Sequence, residues 1–264
     1  MNKIACEVQV CSLRLSLPLH LYDILRKYIE LKELNEITDI DVKVIKKRKS
    51  YHVITNTESV LGKSKEEVFG CILEEIEKKI IKNSEEVILH CSAIKKNNDV
   101  IIFCGQRGAG KSTALLNMLK KGYDFFADDF VYLKARKIKA IDLPIKSRKT
   151  RINSLKVKLV DEFKYILPKP EQAFDSNNYY DLKTIVFPIY DPEGKIGFEK
   201  VTGVDFFNKI IRNCKKTISM TTIYRELMDL VNVHAYIIQY ANNNEFYQCM
   251  EQILVDANKH ENIS

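Results

Sequence analysis

The sequence predicts an α/β protein: a mixed central β-sheet flanked by helices over residues 85–264, behind a small α+β domain over residues 1–84. Three observations predict it. Up to residue 84, strand-like alternation and helix-like spacing follow one another in amphipathic pieces. Beyond it, "VILHCSAI", "DVIIFCG" and "DFFADDFVYL" are short, strongly apolar runs, as strands buried on both faces are. Between the second of these and a helix-like run stands "GQRGAGKST", a glycine-rich turn.

The elements follow in order. Residues 3–17 alternate as strands do, with Ile4, Cys6, Val8 and Val10 on one face. Residues 19–34 place Leu21, Ile24, Leu25, Tyr28, Ile29 and Leu31 at helical spacing and predict a helix. "DVKVIKKRKSYHVIT" reads as a hairpin around the basic tip 46–50, most simply a solvated turn and otherwise a contact for nucleic acid or an acidic peptide. Residues 65–82 form the most regular amphipathic helix, with Val68, Cys71, Ile72, Ile76 and Ile80 on one side. After the polar "KNSEE" come the buried-strand runs, the first two joined by a turn at "NND". "STALLNMLKKG" is the helix after the glycine-rich turn, closed by Gly122. "TIVFPIY" and "HAYIIQY" are further strands. "GVDFFNKIIRNC", "TISMTTIYRELMDLVNV" and "NEFYQCMEQILVDANKH" are helices.

Composition narrows the class. Of 264 residues, 45% are hydrophobic and 29% charged, ordinary for a globular chain with a real core. A net charge of +7 fits phosphate handling or an acidic partner, and fits solubility as well. No stretch reaches the ~18 apolar residues of a membrane helix. The N-terminal segment alternates instead of forming an apolar signal core, so a cytoplasmic location is expected. Seven cysteines without a C-x-x-C pair point to neither a zinc site nor a redox dithiol; they read as small buried hydrophobes.

The chemistry lies in "VIIFCGQRGAGKSTALLNML". Gly105, Gly110, Lys111 and Ser112 fill the pattern G-x-x-x-x-G-K-[S/T], after a strand-like run and before a helix-like one. Gly105, Gly108 and Gly110 allow backbone dihedrals closed to other residues, and a close approach to phosphates. The N–H groups of Gln106, Arg107, Ala109 and the first helical turn, Thr113 included, would converge on the anion. Lys111 would bridge the terminal phosphates, and the Ser112 hydroxyl would ligate Mg²⁺. Downstream, Asp128 and Asp129 end an apolar run. Adjacent carboxylates repel unless a cation or proton bridges them, so the pair suits a metal shell and a proton acceptor. The other reading is a turn or helix-cap pair. His90 alone reads as a core histidine, and Cys91 as packing. His20, His52, His234 and His260 join no constellation.

A histidine on a strand, a short hairpin, "GQRGAGKST" and a helix ending in "KKGYDFFADDFVYL" together resemble HPr kinase/phosphorylase, whose superfamily includes phosphoenolpyruvate carboxykinase. "LPIKSR", "TIVFPIYDPEG" and "YIIQYANNNEFYQCMEQIL" are similar to the C-terminal portions of HPr-kinase-like proteins, some of which modify peptide precursors. The resemblance spans roughly residues 86–255. It implies that Asp128 is the general base, His90 an active-site histidine, and Asp129 a helper of the metal or of His90. Lys146, Arg148 and Arg151 fall where cations could meet the transferring phosphoryl group; a solvated basic loop is the plainer account. Cys91 stands where the family has glycine and Thr113 where it has glutamate, so a dedicated kinase is implied rather than a bifunctional enzyme acting on HPr. The expectation is an ATP- and Mg²⁺-dependent kinase for a peptide or protein hydroxyl, open to homo-oligomerisation and not directed at nucleic acid or membrane. The N-terminal domain is expected to position the acceptor. A kinase for a small molecule and a nucleotide-binding accessory module remain the alternatives.

Overall fold

The computed structural model describes residues 3–8, 11–35, 39–141, 143–146, 165–166, 178–215 and 218–259. The fold is mixed α/β, with six helices and two large mixed sheets among those residues. The chain divides into two units, one chiefly of residues 1–84 and one chiefly of residues 85–264.

In the first unit, β1 (Lys3–Val8) and β2 (Leu13–Pro18) form an antiparallel hairpin, and α1 (Leu19–Leu25) follows at once. The helix predicted over residues 19–34 stops there. Residues 31–33 instead form β3 (Leu31–Glu33), which pairs with the outer edge of β1. Ladder hydrogen bonds along that edge, extended by Leu34 N–H to the Ala5 carbonyl at 2.9 Å, override the helical spacing. β4 (Val42–Lys47) runs parallel to β2 and makes the predicted hairpin with β5 (Ser50–Thr55), turning at Arg48 and Lys49; β6 (Ser59–Lys63) completes the order β3-β1-β2-β4-β5-β6. α2 (Lys65–Asn83) covers this sheet and buries Val68, Phe69, Ile72, Leu73, Ile76 and Ile80. Its start is fixed by a capping box. Glu67 N–H donates to the Ser64 hydroxyl, and Ser64 N–H donates to the Glu67 carboxylate at 2.7 Å.

In the second unit, β7 (Val87–Lys96) and β8 (Asp99–Cys104) form a hairpin around Asn97, at φ 57, and Asn98. α3 (Lys111–Lys120) ends in a Schellman motif: Gly122, at φ 84, donates to the Leu119 carbonyl and Tyr123 to that of Met118. β9 (Asp124–Ala127), β10 (Phe130–Lys134) and β11 (Lys137–Ala140) follow, then the short pair β12 (Ile145–Lys146) and β13 (Tyr165–Ile166). β14 (Tyr180–Tyr190), β15 (Gly197–Lys200), α4 (Gly203–Ile210), α5 (Met220–Met228), β16 (His234–Tyr240) and α6 (Asn243–Lys259) complete the chain. The run "DFFADDFVYL" is thus two strands, and the aspartates follow directly on the end of the first, at a strand terminus as the sequence suggested.

The sheet order is β11-β10-β7-β8-β14-β16-β15, with β9 also beside β7; β11 pairs back to β14, so five strands close a ring. β8, β14 and β16 are parallel and the hairpins antiparallel, the mixed sheet that was expected. One face packs Leu89, Cys91 and Ile102 against Phe206 and Ile210 of α4 and Ile223 and Leu227 of α5. The other packs Ile94, Phe103 and Val186 against Leu115 and Met118 of α3 and Phe246 and Ile253 of α6. No described helix is long and apolar enough to cross a membrane.

Candidate functional site

β8 carries a fully buried apolar run, Val100 to Cys104, into the sheet, and the chain leaves it as the glycine-rich loop 105–110 that opens α3. The loop turns on Ala109 N–H to the Gln106 carbonyl at 3.1 Å. Gly110 caps α3 from the left-handed region, at φ 96, and a β-carbon there would stand 2.6 Å from the Tyr240 hydroxyl. Only glycine satisfies both constraints. Gly108, at φ 90, has open space around it.

Lys111 is 8% exposed, yet its ammonium is satisfied by the loop's own carbonyls, Gly105 at 2.8 Å and Gln106 at 3.2 Å. Burial pulls its pKa down, opposed chiefly by the nearby Asp129 carboxylate. Gln106 and Arg107 are exposed, and Ala109, Ser112 and Thr113 half-buried. The loop's entry is held from a distance. Gly105 N–H donates to the Asn213 side-chain oxygen at 2.9 Å, and the Asn213 amide donates to the Lys209 carbonyl at 2.8 Å.

Strand pairing brings the aspartates to this loop. β7 is long enough to pair with β9 through Ala93, Ile94 and Lys95 and with β10 through residues 87–90. The chain between those two strands must turn opposite Cys91 and Ser92. It does so with Asp129 at φ 68, Phe130 N–H to the Asp128 carbonyl at 3.0 Å, and Cys91 N–H to the Asp129 carbonyl at 3.1 Å. Aspartate tolerates the left-handed region better than most residues, and holding it there still costs about 1 kcal/mol or more.

The turn aims the two side chains differently. Asp128 is 1% exposed. Its Oδ1 accepts a short hydrogen bond from the Ser92 hydroxyl and one of 3.2 Å from Ser112. Its Oδ2 is buried and meets no described donor. Burial, then repulsion from Asp129, pushes its carboxyl up to about 7, while the serine hydroxyls pull the other way. Asp129 is half-buried and lies 3.7 Å from Nε2 of His90, whose ring also meets that of Phe130 at 5.7 Å between centroids.

Asp128, Asp129, His90, Lys111 and Ser112 are therefore brought together. Within the group, Ser112 bonds to Asp128, while Asp129 faces His90. Lys146 lies on β12, and Arg148 and Arg151 fall outside the described residues, as does His260. Cys91 is fully buried, in keeping with a packing role. Sequence reasoning missed Ser92, Asn213 and Tyr240. Ser92 lies two residues from His90 on the same strand face, so strand periodicity could have found it. Asn213 and Tyr240 are more than a hundred residues from the loop, with no local signal.

The group can bind an anion at the loop and a hard cation beside it. The glycine cradle, the oxygen donors of Ser112, Asp128 and Asp129, and the orphaned Oδ2 of Asp128 all fit a Mg²⁺-bound nucleotide phosphate.

No protein-family model matches this chain, and no curated protein does. Among solved structures it is similar to the HPr(Ser) kinase/phosphatase from Coxiella burnetii, at 10% identity and a TM-score of 0.34, over 66% of this chain and 98% of that one. A likeness that faint carries no argument about the site.

Proposed function

We propose that the chain is an ATP- and Mg²⁺-dependent kinase that transfers the γ-phosphate to a serine- or threonine-type hydroxyl of a peptide or protein. The observation that carries the reading is Asp128. Its carboxyl is buried, tied to the Ser112 hydroxyl at one oxygen, without a side-chain partner among the described residues at the other, and pushed up to about 7. A buried carboxyl raised in this way suits a general base, which works best with a pKa near the operating pH.

In this reading the loop N–H groups and Lys111 hold the phosphates, Lys111 exchanging its carbonyl partners for phosphate oxygens. Ser112 and Asp129 would hold Mg²⁺, which would neutralise phosphate charge there. Asp128 takes the proton of the acceptor hydroxyl as its oxygen bonds to the γ-phosphorus and ADP leaves in line. His90 is positioned by Asp129 beside that group. The choice of a peptide or protein as acceptor rests on the family resemblance of the sequence; the acceptor-positioning role of residues 1–84 rests only on their place in the chain.

The test is γ-labelled ATP with Mg²⁺ and a pool of serine- and threonine-containing peptides, alongside calorimetric titration of the nucleotide. Label should pass to peptide, and Lys111→Ala should weaken Mg·ATP by about 10- to 100-fold, the worth of a charge-assisted bond to phosphate. Binding without transfer to any acceptor would leave a nucleotide-binding module instead.

A further inference from the structure

The pairing of β8 with β7 ends at Cys104, opposite Cys91, while β7 extends back to Val87. The edge that β8 vacates is filled by residues 213–215. Cys214 pairs with Leu89, Lys215 N–H donates to the Ile88 carbonyl at 2.8 Å, and the Asn213 side chain holds Gly105 N–H at 2.9 Å. This segment therefore lies in the sheet where the glycine-rich loop leaves it.

Strand alternation decides where Lys215 points. Leu89, Cys91 and Cys214 belong to the core facing α4 and α5. Lys215, next to Cys214, takes the opposite face, which carries Ile88, His90 and Ser92. Its ammonium bears this out, standing 5.0 Å from the ring centroid of Phe130. Phe130 is the register partner of His90 and contacts its ring. Lys215 thus shares the face of His90, Ser92 and Asp128. Among the described residues no carboxylate stands within ion-pair reach of it. Its ammonium rests on an aromatic ring, a weaker partner than a phosphate oxygen.

We propose that Lys215 is a second phosphate-contacting cation of this site, whose ammonium leaves the Phe130 ring for the terminal phosphate of a nucleoside triphosphate held by loop 105–110. Asn213 is the positioning residue that ties the lysine's segment to the loop. The proposal rests on the nucleotide reading above and adds a residue that the glycine-rich pattern does not contain. It also predicts how triphosphate is told from diphosphate, since the Lys215 contact exists only with the terminal group present.

Titration calorimetry of Mg·ATP and Mg·ADP against wild type, Lys215→Ala and Lys215→Arg tests it. Lys215→Ala should weaken ATP about tenfold, about 1.4 kcal/mol, and leave ADP within about twofold. Lys215→Arg should restore most of the ATP affinity. Lys215→Met keeps the stem against Phe130 and gives the same test if the alanine variant melts early. Equal loss for both nucleotides, or loss for neither, overturns the role of Lys215 and leaves the nucleotide reading standing. A wild-type chain that binds neither nucleotide overturns both.

Discussion

Asp41, in the unit of residues 1–84, accepts the Arg14 N–H at 2.9 Å and meets the Lys79 ammonium at 3.2 Å. Asp128, in the other unit, receives two serine hydroxyls at one oxygen, while the other oxygen is buried and meets no donor among the described residues. The same contrast runs through both units. Among described buried polar residues the first unit has Ser16, and the second has Ser92, Lys111, Asn117, Asp128, Thr184 and Asn213. Four of those six surround a single loop. Buried polar groups cost stability unless fully paired, so their concentration in one place singles out a candidate site. The first unit closes its ledger with apolar faces, a capping box and a paired carboxylate. The second carries an open balance beside the glycine-rich loop.

The largest effect that should expose this difference is at Gly110. Gly110→Ala forces a β-carbon toward the Tyr240 hydroxyl at a left-handed φ, and should abolish measurable Mg·ATP binding by calorimetry. Adding Tyr240→Phe removes the nearest clash and leaves the dihedral strain, so affinity should return only in part. Full binding by the single variant would mean that the loop is not a phosphate cradle.

Next in size is a sign reversal between the two aspartates. Asp128 carries a folded-state pKa of about 7 against an ordinary value of 3.8, so between those limits the folded chain binds more protons than the unfolded one. Stability must then fall as pH rises through that window, by an amount on the order of a few kcal/mol, and stay reduced above it. Asp128→Asn, melted without metal at pH 8, should be more stable than wild type and lose that component of the pH slope. Asp41→Asn should be less stable by about 1 kcal/mol, because it gives up its ion pair with Lys79. Destabilisation by both substitutions would mean that Asp128 is a structural carboxylate too.

The smallest effect belongs to the first unit alone. Ser64→Ala breaks the capping box of α2 and should cost about 1 kcal/mol in a denaturant titration, with Mg·ATP affinity unchanged. A change in affinity would contradict the assignment of nucleotide binding to the second unit.

What the sequence made legible follows the same division. The strand, glycine-rich loop and helix around Lys111 were readable because they are contiguous, falling within twenty residues. The capped helix α2 was readable because periodicity and cap are local. The helix expected over residues 19–34 failed because spacing cannot show that β1 has a free edge to be filled by residues 31–33. The break of "DFFADDFVYL" into two strands depends on β7 being long enough to pair with both, a non-local fact. Asn213 and Lys215 reach the loop only through the slot that β8 vacates, and nothing near them in sequence announces it.

The central claim is that Asp128 accepts a proton during phosphoryl transfer, and single-turnover label transfer by Asp128→Asn tests it most directly. With Mg·ATP saturating and its affinity checked in the same preparation, the variant should bind as wild type does within a few-fold and transfer about 10²- to 10⁴-fold more slowly. Equal transfer rates for the two proteins at equal occupancy would contradict the account.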